Sequence, residues 1–264
     1  MHYPFPTPSL QANLPVMPSL LHISSSRGYR DHDWLQTAHS FSFGNYHDPD
    51  KMGFGLLRVL NDDTISEGTE YEVGSDTPRR LGFDLHPHRD MEIVTIPLSG
   101  RLEHKDKLGH HGIIGPGDVQ VMSAGTGIVH SEMNASETEP VSLLQLWIET
   151  DKIGHDPRYE DRAFPKADRN TFQLLVSPDG REDSLWIHQQ AYFSIGEFDA
   201  DHATSYVLRD AKHGVYIFVI EGEIEVDGNI LGKRDAIGVW GEKEIKLTIK
   251  KQDSKVLLIE VPMQ

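Results

Sequence analysis

The chemistry in this chain is concentrated in two short runs, His86-Pro87-His88-Arg89-Asp90-Met91-Glu92 and His130-Ser131-Glu132, the second beginning 42 residues after His88. Alternate residues of a strand share a face, so His86 with His88, and His130 with Glu132, each present two ligands side by side if both runs are extended. Together they could make a set of three histidines and one carboxylate. The chain has no cysteine, so any metal must sit on nitrogen and oxygen, and imidazole with carboxylate suits Fe, Mn, Ni, Cu or Zn. Such a mixture with open positions is the ligand pattern of non-haem iron oxygenases. Among fifteen histidines either pair alone would be a weak signal. The combination carries the metal reading, with a glycine turn and Pro116-Gly117-Asp118 between the pairs.

Other candidates have plainer readings. His104, His110 and His111 surround Gly109 and Gly112 and are expected in a solvated polar turn. His39 alternates with Phe41 and Phe43, which are expected in the core. Met122, Gln145 and Trp147 fall on expected strands, where packing is the favoured role over lining a cavity. Gly125 and Gly127 are expected to form the tight turn into the His130 strand, where a missing Cβ eases the backbone path.

Strands are what must position these groups. Short β-rich runs recur at Phe54 to Leu60, Ile93 to Leu98, Val119 to Ser123, Ser142 to Glu149, Phe172 to Val176, Val215 to Val226, Ala236 to Trp240, Glu244 to Lys250 and Lys255 to Val261. Asp227-Gly228 suits a tight hairpin. Helical patterning is nearly absent, with a short turn expected over Pro157 to Phe164. The class is all-β. Leu98-Ser99-Gly100-Arg101-Leu102-Glu103 is echoed at Ile220-Glu221-Gly222-Glu223-Ile224-Glu225, and each copy leads to an Asp and another strand, at Asp118 and Asp235. Two copies of one small barrel fit this echo. The expected division is an arm over 1–20, a barrel with the site over 21–150 and a second barrel over 151–264, the boundary falling in the polar stretch from Asp151 to Arg169. The arm holds five prolines and no Lys or Arg, unlike a secretory signal, and is expected to be disordered or loosely docked; Met17 is an alternative start.

Composition removes several functions. Lys plus Arg is 25 against Asp plus Glu 41, a net charge of −16, which repels nucleic-acid phosphate and anionic lipid. No stretch approaches the roughly 20 apolar residues needed to span a bilayer. The expectation is a cytoplasmic protein without direct nucleic-acid or membrane partners.

HPHRDMEIVT, GDVQVMSAGTGIVHSEM and the upstream HSFSFGNYHDP strongly resemble the pirin family, above all its bacterial quercetinase-like bicupins. The similarity runs from about Gly28 through Phe164 and continues more loosely to the C-terminus. It implies two tandem cupin barrels, that is, double-stranded β-helices, with one metal site in the N-terminal barrel. The family's HxH falls on His86 and His88, and its HxE on His130 and Glu132. Ordinary cupins would instead use Glu92 as the carboxylate; alternation with His130 favours Glu132. Glu92 then orients a histidine or stands in the cavity as a carboxylate, unless it simply caps its strand. Moving the site by the 122-residue offset of the echo lands on Leu208, Asp210, Gly214, Gln252 and Ser254, and the remaining histidines, His188, His202 and His213, are not paired by alternation. The second barrel is expected to be structural.

The resemblance implies one divalent metal, with Fe(2+) the first expectation and Ni, Mn, Cu and Zn the alternatives. It also implies a quercetin 2,3-dioxygenase type of reaction, in which a flavonol or similar aromatic is cleaved by dioxygen with release of carbon monoxide, and Glu132 or Glu92 accepts the hydroxyl proton. A competing implication is non-enzymatic: an iron-bearing redox sensor that binds a transcription regulator. An open, apolar-lined path to the metal would favour catalysis and a plugged one sensing.

Overall fold

The computed structural model describes residues 18–71 and 78–263. Most of the expected arm, including Met17, lies outside them. The described chain is β throughout apart from two short 3-10 turns, Ser24–Ser26 and Arg181–Asp183. Among the described residues no helix is long and apolar enough to cross a membrane.

Four sheets form two barrels. In the first, a seven-stranded sheet runs in the order Arg158–Ala163, Asp118–Ser123, Met91–Ser99, Val141–Glu149, Leu57–Ile65, Leu35–His39, Gly28–Asp31. It closes on a four-stranded sheet ordered His111–Ile114, Leu102–Asp106, Ile128–Asn134, Gly82–His88. The second barrel repeats this plan. Its large sheet contains Ala236–Trp240, His213–Glu221, Ser254–Pro262 and Tyr192–Phe198, and its small sheet is ordered Ala203–Val207, Glu244–Ile249, Glu223–Val226, Asn229–Gly232.

The two large sheets pack back to back, which is why their strands read as nearly continuous apolar runs rather than clean alternations. On Val141–Glu149, Leu144, Leu146 and Ile148 face the other barrel, where Leu175, Phe193, Phe218 and Ile259 complete one shared core. The intervening Leu143, Gln145 and Trp147 turn into the first barrel, where Leu143 joins an apolar cluster with Leu102 and Ile114 and Trp147 packs against another containing Ile93 and Met122. Each fully buried Leu or Ile of the shared core contributes about 1.5–3 kcal/mol.

The echoed segments occupy matching places. Gly100 (φ +67) and Gly222 (φ +89) each join the large sheet to the small one. Asp118 accepts the Gly115 N–H at 2.7 Å and Asp235 the Gly232 N–H at 2.9 Å. Asp227 and Gly228 both take positive φ, the requirement of the two-residue turn between Glu223–Val226 and Asn229–Gly232.

Several expectations need correction. Arg158–Ala163 is a strand paired with Asp118–Ser123, not a helical turn. It belongs to the first barrel's sheet, so the sheets do not divide at 150/151. Ser19 and Leu20, from the end of the expected arm, form with Leu21 and His22 an edge strand on Ala236–Trp240 of the second barrel. The run expected at Phe54 to Leu60 begins its strand at Leu57 and extends to Ile65. Val215 to Val226 is two strands broken at Gly222.

Candidate metal centre

The two histidine runs lie on neighbouring antiparallel strands. Gly82–His88 pairs with Ile128–Asn134 so that His86 stands opposite His130; the two steps from His130 to Glu132 then face three from His86 to Phe83, a bulge in Gly82–His88. The potential ligand atoms of His86, His88 and His130 all lie within 4.8 Å of one another. Ring centroids are 4.8 Å apart for His86 and His88, 4.3 Å for His86 and His130, and 4.9 Å for His88 and His130. Glu132 enters a second group of the same width, with His130 and His104. The four expected ligands therefore meet through His130 rather than in one tight tetrad.

Burial makes this cluster a good electron-pair donor. It holds His88 down to about 4, with the neighbouring His86 adding to the effect, and pushes His86 and, more strongly, His130 below the ordinary imidazole value. All three are neutral at pH 7, the state a metal requires. Burial drives the Glu132 carboxyl up to about 7, against an opposing hydrogen bond from Gln145. His130 Nε2 and Glu132 Oε1 are buried without any hydrogen-bond partner. Leaving such atoms unpaired costs about 1–3 kcal/mol each, and a metal ion bound between them removes that cost. The donor set thus fits a divalent cation.

Neighbours aim these donors. His86 Nδ1 is 2.6 Å from the Asp84 carbonyl, which leaves Nε2 for a ligand role. Trp147 Nε1 donates to Gln145 Oε1 at 3.1 Å; an indole can only donate, so Gln145 must turn its amide N–H toward Glu132 Oε2, which accepts it. Gln145 and Trp147, expected as packing, hold the carboxylate. Trp147 also packs edge-on to His88 at 4.8 Å.

A cavity of about 340 Å³ opens beside His86, His88 and Glu132, within the range of small-molecule sites. Phe43, Tyr46 and Trp147 give it aromatic walls; Thr37, His39, Asn61 and Asp63 give it a polar one. His39 Nδ1 is 2.8 Å from Asn61 Oδ1, and Thr37 donates to Asp63, whose carboxyl burial pushes up to about 7. Phe41 is core as expected, but Phe43 lines the cavity.

Glu92 is elsewhere. It shares a face of Met91–Ser99 with Val94 and Ile96, which pack toward the second barrel, and it accepts from Ser123 Oγ at 2.7 Å. Its carboxyl is raised by burial, against opposing hydrogen bonds from Ser123 and the His188 backbone. It is neither a ligand, a histidine orienter nor a cavity carboxylate. His104 also needs correction: it is fully buried, its Nδ1 3.2 Å from His130 Nδ1 and its ring stacked on Tyr159 at 4.3 Å. His110 is in the turn, paired with Asp106, and His111 opens the strand His111–Ile114, paired with Glu103. The sequence did carry a signal for His104, since Leu102-x-His104-x-Asp106 alternates inward from a core leucine; the polar turn beyond it hid that signal.

Two cupin barrels back to back, with the histidine cluster and cavity in the first and an apolar filling in the second, define a bicupin with a single candidate metal centre among the described residues. Residues 21–148 match the pirin family and residues 174–261 the quercetinase C-terminal cupin domain. The chain is 39% identical over 239 residues to a quercetin 2,3-dioxygenase of Escherichia coli K12, covering 90% of this chain and 96% of that protein. It is 47% identical over 241 residues to a putative quercetin 2,3-dioxygenase of Mycobacterium bovis, covering 90% and 93%. It superimposes on the Escherichia coli bacterial pirin YhhW in complex with nickel(II) with a TM-score of 0.84 and 38% identity, over 94% of this chain and all of that one. The chain belongs to the pirin family.

Proposed function

We propose that this protein is a metal-dependent dioxygenase that cleaves a flavonol or similar hydroxylated aromatic with O2, as a quercetin 2,3-dioxygenase does. The observation that carries the reading is the aromatic-walled cavity lined by His86, His88 and Glu132, with the buried His130 clustered beside the two histidines. His86, His88, His130 and Glu132 would hold one divalent ion, Fe(2+) in the first instance; the nickel-bound pirin of Escherichia coli supports a metal here and makes Ni(2+) an alternative. When bound, the ion supplies Lewis acidity toward the substrate hydroxyl and a site for dioxygen. Phe43 and Trp147, whose rings meet edge to face at 5.2 Å, hold a planar substrate and keep water from it. Glu132 would take the hydroxyl proton at Oε2, the oxygen that Gln145 steadies, leaving Oε1 to the ion.

The open cavity, with more apolar than polar lining, supports catalysis over the alternative of an iron-bearing partner of a transcription regulator. A cytoplasmic setting belongs to the same reading, as does the net negative charge that disfavours nucleic acid. The test is anaerobic reconstitution with Fe, Mn, Ni, Cu and Zn in turn, followed by admission of O2 and assay of quercetin loss and carbon monoxide release. Turnover that disappears in His130→Ala is expected. Stoichiometric metal with no turnover by any ion would overturn the reading in favour of the regulatory one.

A further inference from the structure

A histidine that gives Nε2 to a metal must carry its remaining proton on Nδ1, and something must accept that proton's hydrogen bond. For His130 the acceptor is another histidine. Nε2 of His130 is the buried, unpartnered atom beside His86 and His88, while Nδ1 faces His104 Nδ1 at 3.2 Å. Two bare nitrogens would repel and two protonated ones would clash, so one ring donates and the other accepts. With His130 as donor, His104 Nδ1 is bare and its proton sits on Nε2. That Nε2 makes no hydrogen bond, and Asp106 Oδ2 faces it at 3.5 Å, an ion-pair distance.

Asp106 is built to receive. Its Oδ1 accepts the backbone N–H groups of Leu108 (2.8 Å) and His110 (3.0 Å), and its Oδ2 faces His110 Nδ1 at 2.7 Å. Every neighbour points a donor at it, which fixes it as an acceptor toward His104. The His104 ring is held in place by Tyr159, stacked at an interplanar angle of 23°. Leu102, His104 and Asp106 share the inward face of one strand, and Asp106 stands opposite His130 in the ladder.

We infer that Asp106 and His104 form a relay that sets the tautomer of His130, Asp106 acting on His104 by charge across 3.5 Å and His104 on His130 through a hydrogen bond, with His104 a positioning residue outside the coordination sphere. Asp106 keeps the His104 proton on Nε2; His104 in turn keeps the His130 proton on Nδ1 and so leaves the His130 Nε2 lone pair free. The opposite tautomer of His104 would donate from Nδ1, place the His130 proton on Nε2 and close the metal position. This inference rests on the metal-site reading above and is independent of the dioxygenase reaction.

The test is zinc affinity, measured by competition with a chromophoric chelator, for wild type, His104→Phe and His104→Asn. Phenylalanine keeps the stack on Tyr159 but offers no acceptor, so affinity should fall about 10–100-fold. Asparagine places an amide oxygen near the former Nδ1 and should restore most of the loss. In parallel, ¹⁵N NMR of the zinc-loaded wild type should show His130 protonated on Nδ1 and His104 on Nε2, a readout that survives even if His104→Phe fails to fold. Wild-type affinity in His104→Phe, a His104 proton on Nδ1, or a metal-bound shift on His104 itself would each overturn the relay. Failure of the wild type to bind zinc or any other divalent ion would instead overturn the metal-site reading beneath it.

Discussion

Each barrel buries a carboxylate beside a histidine, and the two pairs are treated in opposite ways. In the second barrel Glu260 accepts from Tyr206 Oη at 2.7 Å, His213 Nδ1 at 2.8 Å and the backbone N–H groups of Arg209 (2.8 Å) and Asp210 (3.3 Å). Its neighbourhood is saturated, and the barrel interior is filled by Ile224, Val226, Ile245, Leu247 and their neighbours. In the first barrel Glu132 and His130 each keep one buried atom unpaired. Among the described residues, the buried side-chain polar atoms without a partner lie between Arg27 and Tyr159, apart from His22 Nε2 on the edge strand that joins the second barrel. A satisfied carboxylate is a strut, whereas an unsatisfied one beside a cavity is a site waiting for a ligand.

The contrast can be broken most forcefully at the strut. Glu260→Ala strands a phenol, an imidazole and two amides in a buried setting, and should cost about 3–5 kcal/mol. Denaturant melts would register that loss while metal content of the folded fraction stays unchanged. A loss below about 1 kcal/mol would mean that the network is incidental.

Acid should act on the site. Burial holds His88 at about 4 and His86 and His130 below their ordinary value, so from about pH 6.5 downward the unfolded chain takes up protons that the folded chain refuses. The contribution of these neutral imidazoles is present above pH 6.5 and lost as pH falls toward 4. Melts of the metal-free protein across this range should show the decline, and His88→Ala should flatten it. An equal slope in both proteins would assign the acid sensitivity to other groups.

A smaller effect of opposite sign is expected at Glu132. Its folded-state value, raised by burial to about 7, lies above that of an unfolded carboxyl, so its ionisation penalises the folded state increasingly as pH rises and fully above about 7. Glu132→Gln should therefore stabilise the metal-free protein by about 1 kcal/mol at pH 8 while weakening metal binding. Destabilisation at pH 8 would show that Gln145 already satisfies the carboxylate.

The clustering of His86 and His88 with His130, and of Glu132 with His130, was legible because HxH and HxE have a period of two, and a strand turns that period directly into geometry. The echo around Gly100 and Gly222 was legible too, because a φ above zero restricts residue choice. Glu92 was not: Glu92, Val94 and Ile96 face one buried surface while Ile93 faces the other, so alternation gives no sign of which side is the cavity. Transfer by the 122-residue offset also overshot. The second barrel's counterparts of the two histidine-bearing strands, by sheet order, are Ala203–Val207 and Glu244–Ile249, each ending before the positions transferred to it, because loop lengths differ between the copies. The expectation of no second ligand set rests on better ground there, since Tyr206, Ile245, Leu247 and Ile249 fill those strands' buried face. The exchange of edge strands, Ser19–His22 to the second barrel and Arg158–Ala163 to the first, depends on long-range pairing that no local pattern encodes.

Counting metal tests the central claim most directly. The protein is loaded with Ni(2+) or Fe(2+) under anaerobic conditions, freed of excess by gel filtration and assayed for bound ion as wild type, His88→Ala, His130→Ala and Glu260→Ala. One ion per chain in wild type and in folded Glu260→Ala, with loss in both histidine variants, is the result expected of a site confined to the first barrel. Full retention in His88→Ala and His130→Ala, or a second tightly held ion lost with Glu260, would contradict it.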